Sequence, residues 1–204
     1  MAVSTGMTAK DLEGSPAAHT VDLVKTYGKG DAVVTALAGV NVEFGRGQFT
    51  AVMGPSGSGK STLLHCMAGL DVPSSGHAYV GEQDIAELDD TGLTELRRDR
   101  IGFVFQSFNL VPTLTARENI ELPSDLAGTK IDSAWFDYLV DQLRIRDRLS
   151  HRPVELSGGQ QQRCACARAL IGRPDLIFAA RLGFVHDDKS RQVLALGSEA
   201  VGDP

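Results

Sequence analysis

The sequence predicts an α/β fold with a mostly parallel core sheet. Three stretches carry that prediction. Phe49 to Met53 reads as an apolar strand running into Gly54-Pro55-Ser56-Gly57-Ser58-Gly59-Lys60-Ser61-Thr62, a glycine-rich turn that opens a helix. Ile101 to Phe105 and Leu176 to Ala180 read as buried strands, continuous in apolar character as parallel strands covered on both faces are. Glu155 to Arg163 holds a second glycine-rich turn at the start of a helix.

The first of these has the most direct chemistry. Gly54, Gly59, Lys60 and Ser61 fit the spacing G-x-x-x-x-G-K-[ST] of a phosphate-binding loop. Glycines allow successive backbone N–H groups to curve around an anion, where a Cβ would clash. The helix from Ser61 to Leu70 aims its N-terminal dipole at the same anion. Lys60 is placed to reach the outer phosphates and the Ser61 hydroxyl to ligate Mg²⁺. A chance match in a turn is the alternative; strand, loop and helix in the required order argue against it.

The rest of the chain sets bounds. Its 204 residues suffice for one domain with a sizeable core. A net charge of −6 argues against a nucleic-acid surface, and no apolar run reaches the roughly 20 residues a membrane span needs. Residues 1–17 are rich in small and polar types and read as a disordered lead-in, with a single domain over 18–204. Cys66, Cys164 and Cys166 lie in apolar helical stretches and suit a reducing compartment.

In chain order, Val21 to Lys25 and Val33 to Phe44 read as strands around a Gly28–Gly30 turn. Tyr27 ends the first strand, either as a plain edge residue or as a face for an adenine ring. Leu63, Leu64, Met67 and Leu70 share one helix face. His77 reads as a surface histidine on a short strand, and Thr91 to Arg100 as a charged helix. Gln106 follows the strand at 101–105, on the sheet end where ligands gather. Thr115 to Glu118 has a capping-box pattern, opening a helical region with a core stripe at Trp135, Phe136, Leu139, Val140 and Leu143. Ser157-Gly158-Gly159-Gln160 precedes a helix to Ile171. It is either a second anion-receiving helix start or an ordinary capped helix after a flexible turn. Cys164 and Cys166, two apart on a helix, face different directions and make a metal site unfit.

With both glycine-rich stretches in hand, residues 18 to 179 resemble the ATP-binding subunit of an ABC transporter, closest to the lipoprotein-release, macrolide-export and cell-division subgroup. Gly54 to Ser61 match the Walker A loop, Leu156 to Gln160 the signature motif, Gln106 the Q-loop glutamine, and Tyr27 the adenine-stacking aromatic. The resemblance implies a P-loop NTPase with an N-terminal antiparallel β subdomain and a helical subdomain inserted at about 107–172. It implies ATP and Mg²⁺ as ligands, with Pro55, Ser56, Gly57, Ser58 and Thr62 lining the cradle. Ser61 and Gln106 would serve the metal. The subunits pair head to tail, with themselves or a homologous ATPase, so that Ser157, Gly158, Gly159 and Gln160 cap the partner's nucleotide. A transmembrane permease subunit is the expected partner, with the chain peripheral on the cytoplasmic face of the plasma membrane, not inserted into it and not bound to nucleic acid.

The resemblance breaks after Ala179. Ala180 and Arg181 occupy the positions of the Walker B aspartate and the catalytic glutamate, which leaves no intact catalytic carboxylate, and 180–204 is atypical. Ser190 to Leu194 resembles the family's next helix, so the segment between reads as a local frameshift or a real divergence, and the core as incomplete at its C-terminal end. The resemblance therefore implies nucleotide binding with impaired hydrolysis. A non-hydrolysing regulatory module and a non-functional gene fragment are the alternatives.

Overall fold

The computed structural model describes residues 2–5, 16–179 and 191–194. Its strands are β1 (Ala2–Thr5), β2 (Ala18–Tyr27), β3 (Val34–Phe44), β4 (Thr50–Met53), β5 (Ser75–Val80), β6 (Gln83–Asp84), β7 (Ile101–Val104), β8 (Leu176–Ala179) and β9 (Arg191–Leu194). The helices are α1 (Lys60–Met67), α2 (Asp90–Arg100), α3 (Ala116–Ala127), α4 (Ser133–Gln142) and α5 (Gly158–Leu170).

Two sheets result. One is antiparallel throughout, in the order β3-β2-β5-β6, and matches the expected N-terminal β subdomain. The other runs β1-β4-β9-β8-β7. In it β7 and β8 pair in parallel, Ile101 opposite Leu176, while β9 lies antiparallel between β4 and β8. Strands β4, β7 and β8 thus share one direction, as an α/β core requires. The parallel character lies in their orientation; among the described strand pairs only β7–β8 is hydrogen-bonded in parallel.

Three local expectations are corrected. Arg191–Leu194 is a strand, not a helix, because it fills the space between β4 and β8, whose facing N–H and C=O groups need partners. The lead-in over 1–17 contains strand β1, paired to the other side of β4, and Ala17 is already buried. Leu70 leaves the buried stripe of α1, being 48% exposed beyond the helix end. Residues 180–190 and 195–204, including Ala180 and Arg181, lie outside the described residues.

Side chains from α1 and both sheets share one core, including Phe44, Leu23, Val52, Leu63 and Met67. A second core belongs to α3, α4 and α5, with Ile120, Trp135, Phe136, Leu139 and Cys164. Between them, Val104, Ala165, Ala169 and Ile177 seat α5 on the sheet. That contact depends on Gly102: a Cβ there would stand 2.4 Å from the Ala169 carbonyl oxygen. Each helix of the second group is capped by its own side chains. Thr115 with Glu118 and Ser157 with Gln160 form reciprocal capping boxes, and the Asp132 carboxylate accepts from the amides of Ala134 and Trp135.

Asn119 is fully buried on α3 and fixes the loop before that helix. Its Nδ2 donates to the carbonyls of Val111, Leu114 and Thr115, and its Oδ1 accepts from the Val111 amide at 2.7 Å. Asn119→Ala strands these groups without partners and should lower the unfolding free energy by about 2–3 kcal/mol, read from urea denaturation. Burial, the main cause, pushes the Cys66, Cys164 and Cys166 thiols up to about 11. The native state therefore holds these protons more tightly than the unfolded chain does. Its stability should fall as pH rises from about 9 towards 11. At pH 8 the native thiols should react with Ellman's reagent about 100-fold more slowly than the same thiols in urea.

Candidate functional site

Strand β4 delivers the chain into the loop at 54–59, and α1 leads out of it. Gly59 stands at φ +85° as the residue before α1, and a Cβ there would lie 2.4 Å from the Ala36 carbonyl oxygen on β3. Only glycine satisfies both the left-handed angle and the close approach. The Ser58 amide donates back to the Pro55 carbonyl. Lys60 is 7% exposed, and its Nζ donates to the carbonyls of Gly54 (2.8 Å) and Pro55 (2.7 Å) and to Ser58 Oγ (3.3 Å). A buried ammonium thus sits among three neutral oxygens at a helix N-terminus, an arrangement with positive charge to spare. Ser61 is exposed and Thr62 half-buried on the first turn of the helix.

Tyr27 is held by a small network. Its hydroxyl donates to Asp71 Oδ2 at 2.7 Å and interacts with Thr62. Lys25 Nζ donates to Asp71 Oδ1 and to the Val72 carbonyl, and lies 5.0 Å from the Tyr27 ring centre. Burial opposes ionisation of Asp71, but the bonds from Lys25 and Tyr27 outweigh it and hold that carboxyl below its usual range. The bond to Asp71 holds Lys25 above its usual value. The ring is 43% exposed, oriented by contacts that sequence reading missed. Asp71 carries no local pattern that marks it, since the pairing spans more than forty positions.

Gln106 is exposed just past the end of β7. Its neighbour Phe105 and Ser61 of α1 line one small cavity of about 70 Å³. Ser157, Gly158 and Gly159 are exposed at the start of α5, and the Ser157 hydroxyl accepts from the Gln160 amide at 3.3 Å. This second glycine turn opens α5, whose Cys164 and Ala167 join the helical core, while the loop at 54–59 opens α1, whose Leu63 and Met67 join the other. Beside the Gln106 loop runs a groove of about 530 Å³, walled by Phe105, Asn109, Leu122, Leu126 and Arg168 among others. Arg168, which sequence reading left unremarked, binds the carbonyls of Phe108 and Asn109. Its one signal is an arginine set among alanines on a packed helix. His77, read as a plain surface residue, is 54% exposed yet bonded through Nδ1 to the buried Asp84 carboxylate.

Residues 37–179 match the family model described as ABC transporter. This chain belongs to the ABC transporter family. It is 45% identical to the macrolide export ATP-binding/permease protein MacB of Marinobacter nauticus, over 87% of this chain and 28% of that protein. It therefore spans little more than a quarter of that relative's length. It is 44% identical to the uncharacterized ABC transporter ATP-binding protein MJ0796 of Methanocaldococcus jannaschii, over 78% of this chain and 70% of that one. The solved dimer of the MJ0796 ATP-binding cassette with ADP and Pi superposes with a TM-score of 0.72 at 40% identity, covering 84% of this chain and 77% of that one. Relatives and fold agree on an ABC-type ATPase cassette, a family in which ATP hydrolysis is coupled to transport.

The donors present fit a Mg²⁺ that arrives with a nucleotide. Ser61 offers a hydroxyl and Gln106 an amide oxygen, and the described residues hold no group of three His, Cys, Asp or Glu that could cage a metal. Mg²⁺ takes much of its shell from substrate phosphates and water. The glycine at 59 gives the sharpest structural test. Gly59→Ala should destabilise the fold by about 2 kcal/mol or more through the left-handed angle and the clash with Ala36, seen as a lower thermal midpoint.

Proposed function

We propose that this chain is the nucleotide-binding cassette of an ABC exporter. In this reading it binds Mg-ATP at Gly54–Thr62 and couples closure of a head-to-tail dimer to a transmembrane subunit. The carrying observation is Lys60: a buried ammonium surrounded by neutral oxygens at the start of α1. An entering phosphate supplies the negative charge that the described partners of Lys60 lack, and Lys60 has only to exchange loop carbonyls for phosphate oxygens. Gly57, Gly59 and the first turn of α1 offer backbone N–H groups to the same anion, Tyr27 offers a ring face to the base, and Ser61 a hydroxyl to the metal. Mg²⁺ supplies charge neutralisation of the outer phosphates when bound.

Ser157 to Gln160 form an exposed helix start separate from this cradle, which supports a role across a dimer interface in capping a second subunit's nucleotide. The dimeric state of the MJ0796 cassette in its solved structures supports a dimer here. MacB is named for joined ATP-binding and permease parts, which supports a permease partner here and, with it, a position peripheral to the cytoplasmic face of the membrane. The described helices include none long and apolar enough to cross a membrane. The groove beside the Gln106 loop suits such a partner.

Hydrolysis is the weak step. Ala180 has no carboxylate to orient a metal shell, and Arg181 none to accept a proton from water. A general base contributes roughly 10²–10⁴-fold. A second reading, a non-hydrolysing subunit paired with an intact ATPase, draws on the same two residues. A fluorescent ATP analogue should bind with micromolar affinity, and Lys60→Ala should weaken it at least tenfold. ATP turnover should fall at least about 100-fold below that of the MJ0796 protein. Turnover equal to that relative's overturns the impaired-hydrolysis reading, and binding indifferent to Lys60 overturns the site.

A further inference from the structure

Four successive residues of β2 are bonded to the segment that follows α1. The Val24 carbonyl accepts from the Ser74 amide (2.8 Å), and the Thr26 amide donates to Ser74 Oγ (3.0 Å). Lys25 Nζ and the Tyr27 hydroxyl donate to the two oxygens of one carboxylate, Oδ1 and Oδ2 of Asp71. Asp71 is in turn tied to α1, since its amide and that of Leu70 both donate to the His65 carbonyl. Arg97 Nη1 donates to the Gly69 carbonyl at 2.7 Å and braces the same turn. The carboxylate therefore stands at the end of the helix that Lys60 opens, and it reaches across to the strand that Tyr27 closes.

An aromatic ring at an exposed strand end is free to change rotamer unless something tethers it. The hydroxyl gives Asp71 a handle that a phenylalanine ring lacks, and a bond to an ionised acceptor is of the stronger kind. Lys25 Nζ, held by the same carboxylate, lies over one face of the ring. We propose that Asp71 is a positioning residue for base recognition: by holding the Tyr27 hydroxyl, it presets the ring face on which a nucleobase stacks. The proposal rests on the reading of Gly54–Thr62 and Tyr27 as nucleotide contacts. A ring already fixed has no rotamer freedom left to lose when the base arrives, which corresponds to about two- to tenfold in affinity. Because Asp71 acts through the ring, its effect falls on the base and not on the phosphates.

Two ligands separate base from phosphate on the full chain: a ribose-labelled fluorescent ATP analogue and inorganic tripolyphosphate, each with Mg²⁺. In Asp71→Ala and in Tyr27→Phe the analogue should bind about fivefold more weakly. Asp71→Asn, which keeps an acceptor oxygen, should fall between D71A and the wild type. All four proteins should bind tripolyphosphate within about twofold of one another, whereas general damage to the fold weakens both ligands. The D71A/Y27F double variant should be no more than about twofold weaker than either single variant, because both remove the same bond. Without nucleotide, nuclear Overhauser contacts between the Tyr27 ring and the Thr62 side chain, which interacts with the Tyr27 hydroxyl, should be present in the wild type and lost in D71A. Wild-type analogue affinity in D71A, equal weakening of both ligands, or fully additive losses in the double variant overturns the proposal. If D71A shows no thermal transition, D71N and Y27F decide: weaker analogue binding with tripolyphosphate retained supports the positioning, and unchanged analogue binding overturns it. Failure of the wild type to bind the analogue overturns the nucleotide reading instead. The Overhauser contacts then still decide whether Asp71 sets the ring: their loss in D71A supports it and their persistence overturns it.

Discussion

A buried ammonium whose partners among the described residues are all neutral oxygens must be held by geometry, and the Lys60 cradle is built to do so. The carbonyls of Gly54 and Pro55 converge on Nζ because the loop turns sharply between β4 and α1. That turn needs Gly59 in a left-handed conformation, packed so near Ala36 that no side chain fits. Strand β4 must then be fixed on both flanks, and it is, by β1 on one side and β9 on the other. The antiparallel sheet enters the same arrangement through β3, which carries Ala36, and through β2, which carries Lys25 and Tyr27. Much of the first core can be understood as support for one loop and its cation.

The helical core is organised around a different problem, how to present an exposed helix start while staying joined to the sheet. Ala165 and Ala169 let α5 lie close against β7, and Gly102 removes the side chain that would keep them apart. The join on the Gln106 side is polar instead. Arg168 and Asn119 bind main-chain carbonyls of one loop, a directional fastening that an apolar contact does not give. Apolar packing permits sliding between near-equivalent arrangements. Two 2.7 Å bonds from one guanidinium do not.

Much of this was legible beforehand where the physics is local. The glycine-rich turn before α1, the capping boxes at Thr115 and Ser157, and the apolar stripe of Trp135, Phe136, Leu139 and Val140 each depend on neighbours within a few positions, so their residue types announce them. What depends on distant pairing was not legible. Arg191–Leu194 resembles a helix by sequence and is a strand, because the space between β4 and β8 decides its backbone. Leu70 fits a helical period that ends before it. Asp71 and Arg168 gained their roles from partners more than forty residues away.

The sequence by itself determined the local motifs: a glycine-rich loop with lysine and hydroxyls over Gly54–Thr62, of the kind that receives phosphate, a second glycine-rich helix start at Ser157, and a glutamine at the end of a buried strand. It could do so because phosphate binding demands glycine, lysine and hydroxyl at fixed spacing. Only the tertiary structure decided how these parts are oriented and joined. It set the Tyr27 ring by Lys25 and Asp71, gave the cradle and the helix start separate cores, and tied the Gln106 loop to α5 through one arginine. Orientation and linkage are properties of contacts between remote segments, and no spacing along the chain encodes them.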